Sequence, residues 1–168
     1  MASTRRFLVD GMLGSLARWL RICGYDAQYV RDTVDETLIG EARSGGRALL
    51  TGDKLLYRKA SRAGLEALLV EGDSAVERLA LVAARFDLSL DPEMSRCPSC
   101  GAALEEVDEG ELRGRVPDQS LEAYDEFWAC TSCRKAYWRG SHWENIQETV
   151  REASKRARAL YGASYHAL

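Results

Sequence analysis

Three prolines in 168 residues leave most of the chain free to form unbroken helices and strands. Histidine is scarcer still, with two residues, so a histidine-rich metal centre is excluded. No apolar run reaches the ~20 residues that a bilayer-crossing helix needs. No charged leader with an apolar h-region opens the chain, so we expect a cytoplasmic protein without a membrane partner. Several phosphate chemistries lack their parts. No G-x-G-x-x-G follows a strand, no G-x-x-x-x-G-K-[ST] occurs, and no Ser or Cys sits in a nucleophile elbow. Asp10 has no acid two positions on, which argues against a phosphoaspartyl enzyme. The net charge of −3 gives no global attraction for polyanions, so any nucleic acid must use local patches.

What is present is a core-forming composition, 46% hydrophobic, enough for one domain plus a small module. Phe7-Leu8-Val9 reads as a short strand ending in Asp10. Beyond Gly11, apolar Leu13, Leu16, Ala17 and Leu20 follow a helical period, and Gly24 marks the stop. Asp26 to Val30 is a second strand, and Thr33-x-x-Glu36 reads as a capping box for a helix from Asp35 to Arg43. Arg47 to Thr51 is a third strand with Gly52-Asp53 at its end, followed by a basic amphipathic helix from Lys54 to Arg62. Leu65 to Val70 is a fourth strand, and Ser74-x-x-Glu77 opens a helix to about Phe86. This βαβαβαβα order predicts an α/β fold, a parallel sheet flanked by helices, with every strand's carboxyl end on one edge. Residues 1–95 form the sheet domain, 96–143 a cysteine module and 144–168 a terminal helix carrying Ile146, Val150, Ala153, Ala157 and Leu160 on one face.

The cysteines carry the most specific signal. Cys97-x-x-Cys100 and Cys130-x-x-Cys133 each offer two corners of a tetrahedron, so zinc held by four thiolates is expected, in a structural role. The 29-residue gap between the pairs exceeds the usual spacing of roughly 15–20 and implies an inserted acidic loop. The fifth cysteine, Cys23, reads as a small buried hydrophobe.

The strand ends carry acids: Asp10, Asp32 with Asp35 and Glu36 behind it, Asp53, and Glu71 with Asp73. Carboxylates gathered at one edge repel one another, and a hard divalent cation such as Mg²⁺ or Mn²⁺ relieves that cost. An Asp between strand and helix is also an ordinary N-cap, a reading that fits Asp73 best and Asp10 least. Lys54 and Arg58, with Arg18 and Arg21, are candidates to guide a phosphate backbone toward the acids, or they form a solvated helix face. Trp128, Tyr137, Trp138 and Trp143 suit the scanty core of a metal module better than base stacking. His142 reads as a packing residue beside them, with an acid–base or phosphate contact as the other possibility.

The run Phe7-Leu-Val-Asp10-Gly-Met-Leu-Gly-Ser-Leu-Ala-Arg-Trp-Leu-Arg21 carries a family resemblance. So do Gly24-Tyr-Asp26, Leu-Leu-Thr51-Gly-Asp53, Arg96-Cys-Pro-Ser-Cys100 and Tyr137-Trp-Arg-Gly-Ser-His142. Together they closely resemble the Mut7-C RNase domain family, over nearly the whole chain. The resemblance implies a PIN-like nuclease fold with a zinc ribbon, and metal-dependent hydrolysis of RNA phosphodiesters. Position by position it implies Asp10, Asp35 and Asp53 as the catalytic, Mg/Mn-binding acids, with Asp32 and Glu36 as rivals to Asp35 and Asp73 as a fourth acid. Family members often carry a basic residue where Gly52 stands. The expected partner is RNA. The alternatives are a PIN-like module that binds RNA or a ribonucleoprotein without cutting it, and a small-molecule phosphohydrolase.

Overall fold

The computed structural model describes residues 5–165, and side chains through 162. The first half follows the alternation expected from sequence. Strand β1 (Arg6–Asp10) leads through a 3₁₀ turn (Gly11–Leu13) into α1 (Gly14–Ile22). Then come β2 (Asp26–Val30), α2 (Asp35–Ser44), β3 (Ala48–Thr51), α3 (Lys54–Arg62), β4 (Ala67–Leu69) and α4 (Ala75–Phe86). The four strands form one parallel sheet in the order β2-β1-β3-β4.

Strand periodicity divides the core between the two faces. Side chains alternate across a strand, so Phe7 and Val9 point one way and Leu8 the other. Phe7, Val9 and Leu50 join α1 and α4 in the larger core, whereas Leu8 and Leu49 meet Leu38, Ala42, Leu56 and Ala60 from α2 and α3. Phe7 also stacks edge-on against Phe86, with ring centroids 5.2 Å apart.

Helix α2 starts differently from expectation. Its N-cap is Val34, which offers no side-chain bond, and Thr33 donates its hydroxyl to the Arg31 carbonyl instead. The Ser74 cap does form: Ser74 Oγ accepts from Glu77 N at 3.1 Å, while the Glu77 carboxylate accepts from Asp73 N at 2.8 Å.

The cysteine module is a three-stranded antiparallel sheet, β5 (Leu104–Val107), β6 (Phe127–Cys130) and β7 (Ala136–Trp138), in that order. Two short helices, α5 (Glu109–Leu112) and α6 (Asp118–Ala123), occupy the acidic insertion. They cover a small core of Leu112, Val116, Leu121 and Phe127. The last helix, α7 (Trp143–Tyr165), lays Val150, Ala153 and Ala157 on the larger core beside α4, as its apolar stripe anticipated. Leu160 is exposed, and residues 166–168 of the expected helix lie outside the described residues.

Two arginines fasten the module to the sheet. Helix α1 runs back from the carboxyl edge, so its last turn lies near the start of β2, at the amino edge. There Arg21, 6% exposed, donates Nε to Ala27 O (2.8 Å) and Nη1 to Pro98 O (3.3 Å) and Ser99 O (3.1 Å). Arg96 donates to Gly24 O (3.2 Å) and Gly101 O (3.1 Å). Burial lowers the Arg21 pKa, opposed by the thiols of Cys100 and Cys97 and by Asp26. This corrects the expectation that Arg21 lines an RNA path, because its guanidinium holds the first cysteine turn against β2.

Arg21→Met would strand three carbonyls that a buried cation now satisfies. It should cost about 2–4 kcal/mol of stability and lower Tm by roughly 4–16 °C, read by calorimetry against Arg62→Met on the solvent side of α3.

Candidate functional site

At the carboxyl edge the acids are positioned by register. β1 pairs with β3 so that Val9 faces Leu50, which sets Asp10 beside Thr51. Thr51 is completely buried. Its Oγ accepts from Asp53 N at 3.0 Å, so the hydroxyl proton is left to donate to Asp10 Oδ2 at 2.9 Å. The other carboxylate oxygen, Oδ1, accepts from Gly11 N at 2.7 Å. One side chain thus orients Asp10 and anchors the backbone of Asp53. Tyr29 braces the same turn by donating its hydroxyl to Gly11 O at 2.6 Å. Its ring lies so close that a Cβ on Gly14 would sit 3.0 Å away, which accounts for a glycine at the first position of α1.

The remaining acids have other partners. Asp53 is the N-cap of α3, its Oδ1 accepting from Leu55 N (2.7 Å) and Leu56 N (3.3 Å). Asp35, in the first turn of α2, accepts from Lys59 Nζ at 2.7 Å, and Glu36 lies 3.7 Å from the same ammonium. These carboxylates raise the Lys59 pKa, Asp35 foremost. Asp32 is exposed and left-handed, with φ of 54°, and Asp73 is exposed. Asp10, Asp35 and Asp53 do not gather as tightly as the cysteines. Among the described residues, only the four cysteines bring three or more possible metal-ligand atoms within 4.8 Å of one another.

The cations are spread out. Lys54 and Arg58 are exposed on α3, which starts at Asp53. Arg18 instead lies beside the cysteine module, on a slot shared with Ile22, Arg96, Pro98, Trp138 and Trp143. His142 is exposed just before α7, its carbonyl accepting from Ile146 N at 3.1 Å, so it is not the packed residue expected.

The cysteines converge as their spacing required. Cys97 and Cys133 Sγ lie 3.7 Å apart, and Cys100 and Cys130 Sγ 3.4 Å. A tetrahedron with zinc–sulfur bonds of about 2.3 Å has edges of about 3.8 Å, so the cluster could hold a metal such as zinc. The two turns share one backbone form. Gly101 N donates to Cys97 O (2.8 Å) and Arg134 N to Cys130 O (3.2 Å), and Gly101 and Arg134 both take positive φ, 83° and 65°. Two of the thiols, Cys97 and Cys130, are shifted toward the thiolate. At Cys133 the Lys135 N–H is outweighed by burial and the neighbouring thiols, which push it up to about 11. Burial pushes the Cys130 thiol up, yet the N–H groups of Ser132 and Cys133, with the neighbouring thiols, bring it down to about 6. Cys97 is likewise lowered against its burial, first by the Tyr137 hydroxyl 3.1 Å away and then by backbone N–H groups. Cys23 behaves oppositely: burial, with Asp91 and Glu93, raises it to about 12, the inert thiol expected there.

Sequence reasoning gave Tyr29 no role, and it met Thr51 only inside the Leu-Leu-Thr51-Gly-Asp53 stretch of the family resemblance, without assigning it one. The residues themselves offered a hydroxyl at the end of an otherwise apolar strand, in a position that alternation assigns to the interior.

Comparison with known proteins agrees with the resemblance. The family model of the Mut7-C RNAse domain matches residues 5–150, most of the chain, and the chain belongs to that family. No curated protein and no solved structure matches it. No helix among the described residues is long and apolar enough to cross a membrane.

One metal ion per chain is expected by elemental analysis of purified protein. Cys97→Ser should abolish that stoichiometry and cost several kcal/mol in denaturant unfolding, because metal binding and folding are linked.

Proposed function

Taking membership of that family as the premise, we propose that the protein is a metal-dependent ribonuclease that hydrolyses RNA phosphodiester bonds at the carboxyl edge of its parallel sheet. The observation that carries this reading is Asp10, held at the strand end by the buried Thr51 hydroxyl, with the backbone of Asp53 on the same oxygen. Such a carboxylate is fixed before any ligand arrives.

The donor set fits a hard cation in kind. Carboxylate oxygens suit Mg²⁺ or Mn²⁺, and Mg²⁺ is usually held by only one or two carboxylates, with waters completing its shell. Asp10, at the end of β1, and Asp53, two residues past the end of the adjacent β3, are the residues that would hold it. Asp35 joins them only if it leaves Lys59. The bound ion would activate water and steady the leaving oxygen. Thr51 keeps the Asp10 lone pairs aimed, and Tyr29 keeps the following turn from shifting. Lys54 and Arg58 supply positive charge for the phosphates, next to Asp53 in the chain. At the opposite edge, zinc on the four cysteines has a structural role, bracing α1 and β2 through Arg21 and Arg96. A reducing cytoplasm suits those thiolates.

A second reading is a module that binds RNA or a ribonucleoprotein without cutting. It is favoured by the separation of the acids and by the Lys59 pair on Asp35.

Labelled single-stranded RNA should be cut with Mn²⁺ present and left intact in EDTA. Asp10→Asn should slow cleavage at least about 100-fold, with circular dichroism unchanged. RNA binding without cleavage under every divalent ion would select the second reading. Lys59→Met tests the third acid: if Asp35 is a ligand, freeing it lowers the Mn²⁺ concentration needed for half-maximal rate, and otherwise that concentration does not fall.

A further inference from the structure

Five large apolar side chains are conspicuously exposed among the described residues, and three of them, Met12 (75%), Val34 (65%) and Leu55 (65%), follow the carboxyl ends of β1, β2 and β3. Those strands are neighbours in the order β2-β1-β3, so the turns that carry Val34, Met12 and Leu55 succeed one another along the edge where Asp10 ends β1 and Asp53 follows β3.

None of the three is needed by the fold. Leu13, next to Met12, fills the core at 4% exposure, and Leu56, next to Leu55, does so at 1%. Val34 occupies the N-cap of α2, where Ser, Thr, Asp or Asn would satisfy a free N–H and valine satisfies none. A polar residue at any of these positions would cost the core nothing. Cations are interleaved with the apolar groups: Arg31 precedes Val34, and Lys54 and Arg58 flank Leu55. All three are exposed, with no ion pair to the described residues.

From this arrangement we infer that Met12, Val34 and Leu55 form a rim that receives the faces of unpaired bases while Arg31, Lys54 and Arg58 meet the intervening phosphates, so that the edge selects single-stranded over duplex RNA. The inference rests on the reading that RNA is the ligand of this edge. Alternating apolar and cationic groups match the alternation of bases and phosphates in a single strand. A duplex hides its base faces in the stack and offers this rim only sugar and phosphate.

The test compares the wild type with Met12→Ser/Val34→Ser/Leu55→Ser by fluorescence anisotropy, on a single-stranded RNA 12-mer, the same strand with abasic positions, and a duplex. The three substitutions are at exposed sites, and an unchanged Tm verifies the fold. Expected is a roughly three- to tenfold loss of single-strand affinity in the variant, matched by the loss the wild type suffers on abasic RNA. The variant should then be insensitive to abasic positions, and duplex binding should be unchanged. Equal single-strand affinity in the two proteins overturns the rim. So does a wild-type dimer in sedimentation velocity that the variant dissolves, because the face then belongs to a second copy. Cleavage with Mn²⁺ is scored separately. Cleavage with unchanged binding overturns the rim alone. Abasic-sensitive binding without cleavage supports the rim and overturns the nuclease. Neither binding nor cleavage overturns both.

Discussion

The pairing of β1 with β3 is the constraint on which the rest of this structure depends. Side chains alternate with a period of two, so a slip of one residue would send every side chain to the wrong face. Phe7 and Val9 would leave the larger core, and Asp10 would lose the Thr51 hydroxyl. The packing of the interior and the placement of the candidate catalytic acid are therefore one requirement. Asp53 follows two residues beyond the end of β3, where its backbone is caught by Thr51 and its carboxylate caps α3. A residue proposed for chemistry thus also stabilises a helix start, so its loss is felt in both.

The two edges of the sheet are built on opposite principles. At the carboxyl edge, local hydrogen bonds hold Asp10 and Asp53, while Arg31, Lys54, Arg58 and the exposed apolar groups face water with no ion pair to the described residues. At the amino edge, the bonds instead join distant parts of the chain. Arg21 and Arg96 satisfy five carbonyls between them, and Glu93 N donates to Ile22 O at 2.8 Å. A stiff end and an open end suit a protein that must hold its frame while a ligand comes and goes.

Much of this was legible in the sequence, because the signals were local. Hydrophobic period and glycine stops gave the βα alternation, and two Cys-x-x-Cys turns gave the thiolate cluster despite a long insertion between them. What escaped was set by distant partners. Arg21 looked like a basic residue on a helix face, since nothing nearby in the chain reveals that Pro98 and Ser99 will bring their carbonyls to it. Asp35 looked like a free acid because Lys59, twenty-four residues on, is invisible to helix-capping rules. Thr33 looked like a cap, yet the helix starts one residue later and puts Val34 in the cap position. The acids were expected at a shared edge, and the fold puts Asp10 at the end of β1 and Asp53 two residues past the end of the neighbouring β3. Their side-chain spacing is decided by caps and ion pairs that no periodicity encodes.

Helix α7 links the two halves of the molecule. Trp143 and Ile146 near its start close the slot beside the cysteine module, and Val150, Ala153 and Ala157 further on complete the core under α4. The helix cannot leave one surface without exposing the other. Loosening the thiolate cluster would therefore propagate along this one rod into the α/β core, and the chain would melt as a single cooperative body rather than as two modules on a hinge.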